Sequence, residues 1–188
     1  MLILLKSKVY IYIHYTLYII HYTLYIIHYT IHIIHYTLYN THYASLFMNN
    51  NKYDSIYLEL ADNLSKMSYA TKKRVGALIV KDNSIIADGY NGTPVGYDND
   101  CEDENGNTKW YVLHAEANAI TKLVKSGQSS IGTTLYITMS PCKECTKLII
   151  QSGIKRVVYS SMYKDQTGIH FLGNFNIKCE YININGTC

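Results

Sequence analysis

The chain has 188 residues, enough for one domain of ordinary size, with 17 basic residues, 14 acidic residues and eight histidines. No charged residue lies between Lys8 and Lys52, whereas fifteen basic and fourteen acidic residues from Met48 onward leave a net charge of +1 there. So small an excess argues against a broad electrostatic surface for nucleic acid, which needs many Lys/Arg–phosphate contacts, but it is compatible with one small bound anion.

The uncharged N-terminal stretch repeats itself: "IHYTLYI" at 13–19 and 20–26, "IHYTIHI" at 27–33 and "IHYTLYN" at 34–40. Seven residues is a heptad period, but Ile, Tyr, Thr and His form strands more readily than helices. A membrane span needs about 20 mostly apolar residues, and Tyr, His and Thr make up roughly half of any such window here. The opening "MLILLKSK" places its charges after the apolar run, the reverse of a secretory signal. Residues 1–47 are therefore expected to be a low-complexity extension outside any packed core, in preference to a membrane anchor, with cytoplasmic localisation. The folded domain is expected to span 48–188, and Met48 would be a natural start for it.

Within that domain, Tyr53, Ile56, Tyr57, Leu60 and Leu64 recur at helical spacing. "RVGALIV" (74–80) reads as a buried strand, "KDN" as a turn and "SIIADGY" (84–90) as its partner strand. The stretch 91–109 is dense in turn formers and reads as a long loop, of a length that in compact domains is commonly functional. A helix over 114–127 ending at Gly127, a strand over 133–139, a helix over 142–153 and a short buried strand over 154–160 follow. A last helix-like piece and a strand over 177–183 close the chain. The alternation β-β-α-β-α-β-α-β implies an α/β fold, a sheet with helices on its faces.

Two helices open on reactive residues. One begins His114-Ala115-Glu116, the other Pro141-Cys142-Lys143-Glu144-Cys145. A lone CxxC can be a redox dithiol, half of a four-cysteine zinc site, or the sulfur half of a metal site completed elsewhere. At i and i+3 both thiols face one side of the first helical turn, where unpaired N–H groups and the helix dipole favour thiolates. One His and two Cys would leave a tetrahedral zinc one open position, the mark of a catalytic ion, with Glu116 near enough to carry a proton. The bland readings are a core histidine and small buried cysteines, and each motif alone is weak. Jointly they match H-x-E…P-C-x-x-C, the signature of zinc nucleobase deaminases. The five cysteines (Cys101, Cys142, Cys145, Cys179, Cys188) are odd in number and unevenly spaced, unlike a secreted disulfide framework.

From about Tyr53 to Ile182 the chain resembles the deoxycytidylate (dCMP) deaminases, through "VGALIVKDN", "DGYNGTPVG", "CEDENGNTKWYVLHAEANAI", "LYITMSPCKEC" and "IIQSGIKRVVY". The resemblance implies a three-layer α/β/α cytidine-deaminase-like fold with a five-stranded mixed sheet flanked by helices. It implies one catalytic Zn2+ held by His114, Cys142 and Cys145, with Glu116 as the proton shuttle in hydrolysis of dCMP to dUMP and ammonia. Asn91 matches an asparagine that holds the sugar, the Ala115 N–H would approach the pyrimidine carbonyl, and Tyr163 matches a tyrosine near the nucleotide. Effector control by dCTP or dTTP and a homo-oligomeric assembly occur in the family. No second, structural zinc is expected, because "SKMSYATKK" lacks the cysteine that would partner Cys101. His114 stands where free cytidine deaminases carry a cysteine. A tRNA adenosine deaminase shares the His-x-Glu motif but needs a channel for a strand, so no polynucleotide substrate is expected. A non-catalytic zinc module would not need Glu116. Lys72, Lys73, Arg74 and Lys109 are the basic residues available for a 5′-phosphate.

Overall fold

The computed structural model describes residues 2–184, with side chains described for 13–38 and 53–184. The chain divides into two units, Met1–Asn50 and Asn51–Cys188. Helix α1 is assigned over Leu2–Ser65, so its two portions belong to different units and are described separately.

In the first unit, the repeat is helical despite the strand preference of its residues. Every described side chain from 13 to 38 is exposed. The period of seven fits two helical turns, and β-branched Thr is accommodated by bonding back to its own backbone. Thr23 Oγ1 donates to the Ile19 and Ile20 carbonyls at 3.0 and 2.8 Å, and Thr37 Oγ1 to those of Ile33 and Ile34 at 2.7 and 2.9 Å. The stretch Ile13–Leu38, with a mean hydropathy of 1.3, is long and apolar enough to cross a membrane.

The second unit is built on a five-stranded sheet in the order β2-β1-β3-β4-β5. The strands are β1 (Gly76–Lys81), β2 (Ser84–Tyr90), β3 (Thr134–Ile137), β4 (Arg156–Tyr159) and β5 (Lys178–Tyr181). β1 runs antiparallel to β2 and β3, while β3, β4 and β5 are parallel to one another, so the sheet is mixed. All five predicted strands are present: β2 spans the predicted residues, β1 starts two residues later and ends one later, and β3, β4 and β5 are shorter at both ends. Alternation along each strand sends side chains to two faces. Ala77, Ile79, Leu135, Ile137, Val157 and Tyr159 face α2 (Ala115–Ser126), α3 (Lys143–Gln151) and α4 (Thr167–Gly173). Leu78, Val80, Tyr136 and Val158 face Tyr57, Leu58 and Ala61 of α1 on the other side. This is the expected three-layer arrangement.

One ion pair fastens the α1 layer. Asp54, 1% exposed, receives both guanidinium arms of Arg156 at 2.8 and 2.7 Å and the Tyr136 hydroxyl at 2.7 Å. Arg156 Nε also donates to Glu180 at 2.5 Å. A buried carboxylate is tolerable only when satisfied in this way, and removing one partner of such a pair typically costs about 3–5 kcal/mol.

Candidate active site and metal centre

The site forms where two helices start on the same face of the sheet. His114 is the residue before α2, with φ −72° and ψ 157°, and Cys142 is the residue before α3, with φ −74° and ψ 166°. Both helices thus begin one residue later than the sequence suggests, leaving each ligand on extended backbone at the cap. Neither side chain caps its own helix, so both are available to each other. Cys145 is the third residue of α3 and Glu116 the second of α2.

Close packing holds these helix starts in place. A Cβ on Gly89 of β2 would lie 2.3 Å from the Ala115 carbonyl oxygen and 2.5 Å from the Ala119 nitrogen. The first turns of α2 therefore rest directly on the strand, and only glycine admits that approach. Asn118 Nδ2 adds a bond to the Tyr90 carbonyl at 2.9 Å. At the other helix, Thr146 Oγ1 donates to the Cys142 carbonyl at 2.9 Å. Gly168 of α4 presses on the same turn, since a Cβ there would come within 2.6 Å of Thr146 Oγ1 and 2.8 Å of the Pro141 carbonyl.

His114 Nδ1 lies 3.5 Å from Cys142 Sγ and 3.4 Å from Cys145 Sγ. All three donor atoms fall within 4.8 Å of one another. Zinc bonds of about 2.3 Å to sulfur and about 2.0 Å to nitrogen, opened to a tetrahedral angle, would separate N and S by about 3.5 Å. The donor set therefore fits one Zn2+ by element and by spacing. Without a metal, one of the three groups is set up as a thiolate. The Cys142 thiol is lowered to about 3, chiefly by a hydrogen bond from Cys145 and also by His114. Cys145 keeps its proton, held by the neighbouring Cys142 thiolate and by burial. The bond to Cys142 raises His114 above its ordinary value. The group is a sulfur–nitrogen cluster with one thiolate, and metal binding would displace the proton that Cys145 retains.

Glu116 is 4% exposed, and burial pushes its carboxyl up to about 7. Desolvation is the largest cause, opposed first by a hydrogen bond from the residue's own backbone N–H and then by the nearby His114. A carboxyl poised near neutrality beside a metal-binding cluster can both take and return a proton.

These groups open into a cavity of about 450 Å3. Of the residues expected at the site, Asn91, His114, Ala115, Glu116, Cys142 and Tyr163 line it, while Cys145, the buried member of the cluster, does not. Ala115 is the first residue of α2, where a backbone N–H has no helical acceptor. Asn91 is engaged with the backbone: its Oδ1 accepts from the Val75 N–H and its Nδ2 donates to the Lys73 carbonyl, both at 2.8 Å. The amide thereby fixes the segment that carries the cavity's lysines.

Of the four basic residues noted in the sequence, Lys72 and Lys73 reach the cavity. Arg74 Nε instead donates to the Ala70 carbonyl at 3.1 Å, and Lys109 pairs with Asp100 at 2.7 Å. Lys164, which sequence reasoning did not single out, completes the basic rim. Its position beside Tyr163 was the one signal available. Lys73 Nζ lies 5.3 Å from the centre of the Tyr163 ring, and the Tyr163 N–H donates to Ser140 Oγ at 2.8 Å. Cys101 also lines the cavity; it is 1% exposed, and burial raises its thiol.

Comparison with known proteins agrees with this geometry. The family model for the cytidine and deoxycytidylate deaminase zinc-binding region matches residues 51–161. The deoxycytidylate deaminase of Mycobacterium phage D29 is 36% identical over 126 residues, covering 60% of this chain and 97% of its own. That of Saccharomyces cerevisiae is 37% identical over 138 residues, covering 66% of this chain and 43% of its own. Among solved structures, the dCMP deaminase of cyanophage S-TIM5 in complex with dCMP and dUMP superposes with a TM-score of 0.66 at 42% identity. That superposition covers 68% of this chain and 94% of the phage chain. The matched region contains both helix starts and every residue of the metal-binding group, and the chain belongs to the cytidine and deoxycytidylate deaminase family.

Proposed function

We propose that this protein hydrolyses dCMP to dUMP and ammonia. The observation that carries the reading is one cavity with two kinds of lining. Its floor holds Glu116 beside the His114–Cys142–Cys145 group, and its rim holds Lys72, Lys73 and Lys164. A pyrimidine at the floor and a 5′-phosphate at the rim would satisfy both. Proteins similar to this chain include deoxycytidylate deaminases, one of them solved with dCMP and dUMP.

The reaction exchanges the C4–N bond of cytosine for a C4–O bond. Of the two protons of the attacking water, one ends on the ring nitrogen and one on the departing amine, which leaves as ammonia. Zinc held by His114, Cys142 and Cys145 would supply Lewis-acid activation of that water. Glu116 takes the proton from water and delivers it to the substrate, a transfer suited to a carboxyl near 7. The Ala115 amide, without a helical acceptor, donates to the pyrimidine carbonyl. Asn91 spends its oxygen and one amide hydrogen on the backbone, leaving one hydrogen for the sugar. Tyr163 forms the wall beside Lys73. The lysines give the phosphate charge-assisted contacts that a nucleoside cannot make.

The same reading carries dCTP and dTTP as effectors and a homo-oligomeric assembly. It also carries a reducing, cytoplasmic setting, because the ligand cysteines must stay reduced to bind metal. The test is ammonia release by the purified protein from dCMP, deoxycytidine, dCTP and adenosine-bearing RNA. The expected result is the highest kcat/KM on dCMP. Equal turnover of deoxycytidine, or better turnover of RNA adenosine, would contradict the substrate assignment.

A further inference from the structure

The stretch 13–38 of α1 carries a second pattern, independent of the catalytic cavity. Ile13, Ile20, Ile27 and Ile34 recur every seven residues, and so do Leu17, Leu24, Ile31 and Leu38. The two series alternate at spacings of four and three, which are the d and a positions of four uninterrupted heptads. All eight side chains are exposed. On a helix they form one continuous aliphatic stripe, and a strict seven-residue period makes that stripe wind left-handedly around a partner.

We infer that residues 13–38 associate with the same residues of other copies of this chain, as a parallel, in-register coiled coil of three or four helices. Several observations favour self-association. First, each heptad presents the same seam, so an aligned copy offers a hole for every knob and no second sequence is required. Second, Leu at three a positions and Ile at the fourth, with Ile at every d, favours three- or four-stranded assembly over a pair. Third, the stretch has no Lys, Arg, Asp or Glu, so no like-charge repulsion opposes parallel alignment of identical helices. Fourth, the flanking hydroxyls of Thr23 and Thr37 are already bonded to their own helix, so a neighbour can cover them without stranding a donor. Finally, a helix rich in Ile, Tyr, Thr and His has little intrinsic stability in water and needs a packing partner.

Ile26 and Ile27 make the decisive pair. They are neighbours of the same residue type, 48% and 53% exposed. Ile27 lies in the seam at d, and Ile26 lies outside it at c. A lipid environment would treat them alike, while a coiled coil separates them.

The experiment uses the full chain with Ile26→Cys or Ile27→Cys, oxidised mildly with copper phenanthroline and compared with the parent on non-reducing gels. Ile27→Cys is expected to cross-link between chains at least about tenfold more than Ile26→Cys, because d-position side chains meet around the seam axis. In parallel, Ile27→Lys should lower ellipticity at 222 nm and the sedimenting mass, while Ile26→Lys should leave both near the parent. Equal cross-linking at 26 and 27, or none above the parent at either, would overturn the inference. So would flotation of the chain with phosphatidylcholine vesicles that both lysine substitutions reduce alike, which would identify a membrane segment.

Discussion

The floor and the rim of the catalytic cavity are built in different ways. The floor comes from two helix starts laid on a buried sheet and held by backbone-close packing at Gly89 and Gly168. Its side chains bond one another: His114 reaches both sulfurs, and Glu116 is enclosed beside them. The rim comes from loop segments at 72–73, 91 and 163–164, ordered by the two backbone hydrogen bonds of the Asn91 amide and by the one that the Tyr163 N–H donates to Ser140 Oγ. The difference suggests a division of labour. The floor fixes the chemistry and tolerates no loss, while the rim sets which substrate is held and should fail by degrees.

The strongest way to break this division is to remove a floor ligand. Cys142→Ala and Cys145→Ala should each lose bound zinc and all measurable deamination, because two remaining donors cannot hold the ion. Metal analysis and ammonia release check both. One zinc per chain surviving in both variants would remove the cluster as the metal site.

A second effect appears in the metal-free protein. Glu116 has its carboxyl raised from 4.5 to about 7 in the folded state. The folded protein therefore holds that proton more tightly than the unfolded chain. The resulting stability is fully present below pH 4.5 and is lost as pH rises through 7. Metal-free Glu116→Gln should consequently be more stable than the metal-free parent at pH 8, by about 3 kcal/mol, with little difference at pH 4. Urea denaturation at the two pH values measures it.

At the rim the expected effects are smaller. Asn91→Ala removes the tie between the 73 and 75 backbone as well as the proposed sugar contact. It should lower kcat/KM on dCMP about a hundredfold while zinc content stays normal, as expected for the loss of two or three hydrogen bonds. Lys164→Ala should raise KM for dCMP about tenfold or more and leave deoxycytidine turnover unchanged, because only the phosphate contact is lost. Lys73→Ala should raise KM for dCMP as much and affect deoxycytidine less, through the Tyr163 ring it packs on. Comparable losses on both substrates would place those lysines away from the phosphate.

The floor was readable in the sequence because its residues fall in two short segments, each with its own spacing, and their types suit a single chemistry. His-x-Glu and CxxC carry their meaning locally. The rim was readable only in part: the resemblance pointed to Asn91 and Tyr163, but nothing local separates Lys72 and Lys73 from Arg74 and Lys109, or marks Lys164, until the fold brings the three lysines together. Asp54 and Arg156 illustrate the same limit: they pair across 102 residues, and no local pattern marks either. The strand alternation was legible and gave the sheet, but element ends were displaced by one or two residues, where hydrogen bonding rather than pattern decides. The helical repeat escaped for the opposite reason. Its residue preferences favour strand, whereas its period of seven favours helix, and the structure follows the period.

The central claim is that a buried glutamate carries the proton beside a His-Cys-Cys zinc site. Glu116→Gln tests it most directly, since it keeps all three ligands and the size of the side chain while removing the ionisable carboxyl. Zinc content and dCMP deamination should be measured on the same preparation. One zinc per chain with ammonia release reduced by at least about a thousandfold, in the range of losing general acid–base catalysis, is the predicted result. Normal turnover with zinc bound would contradict it.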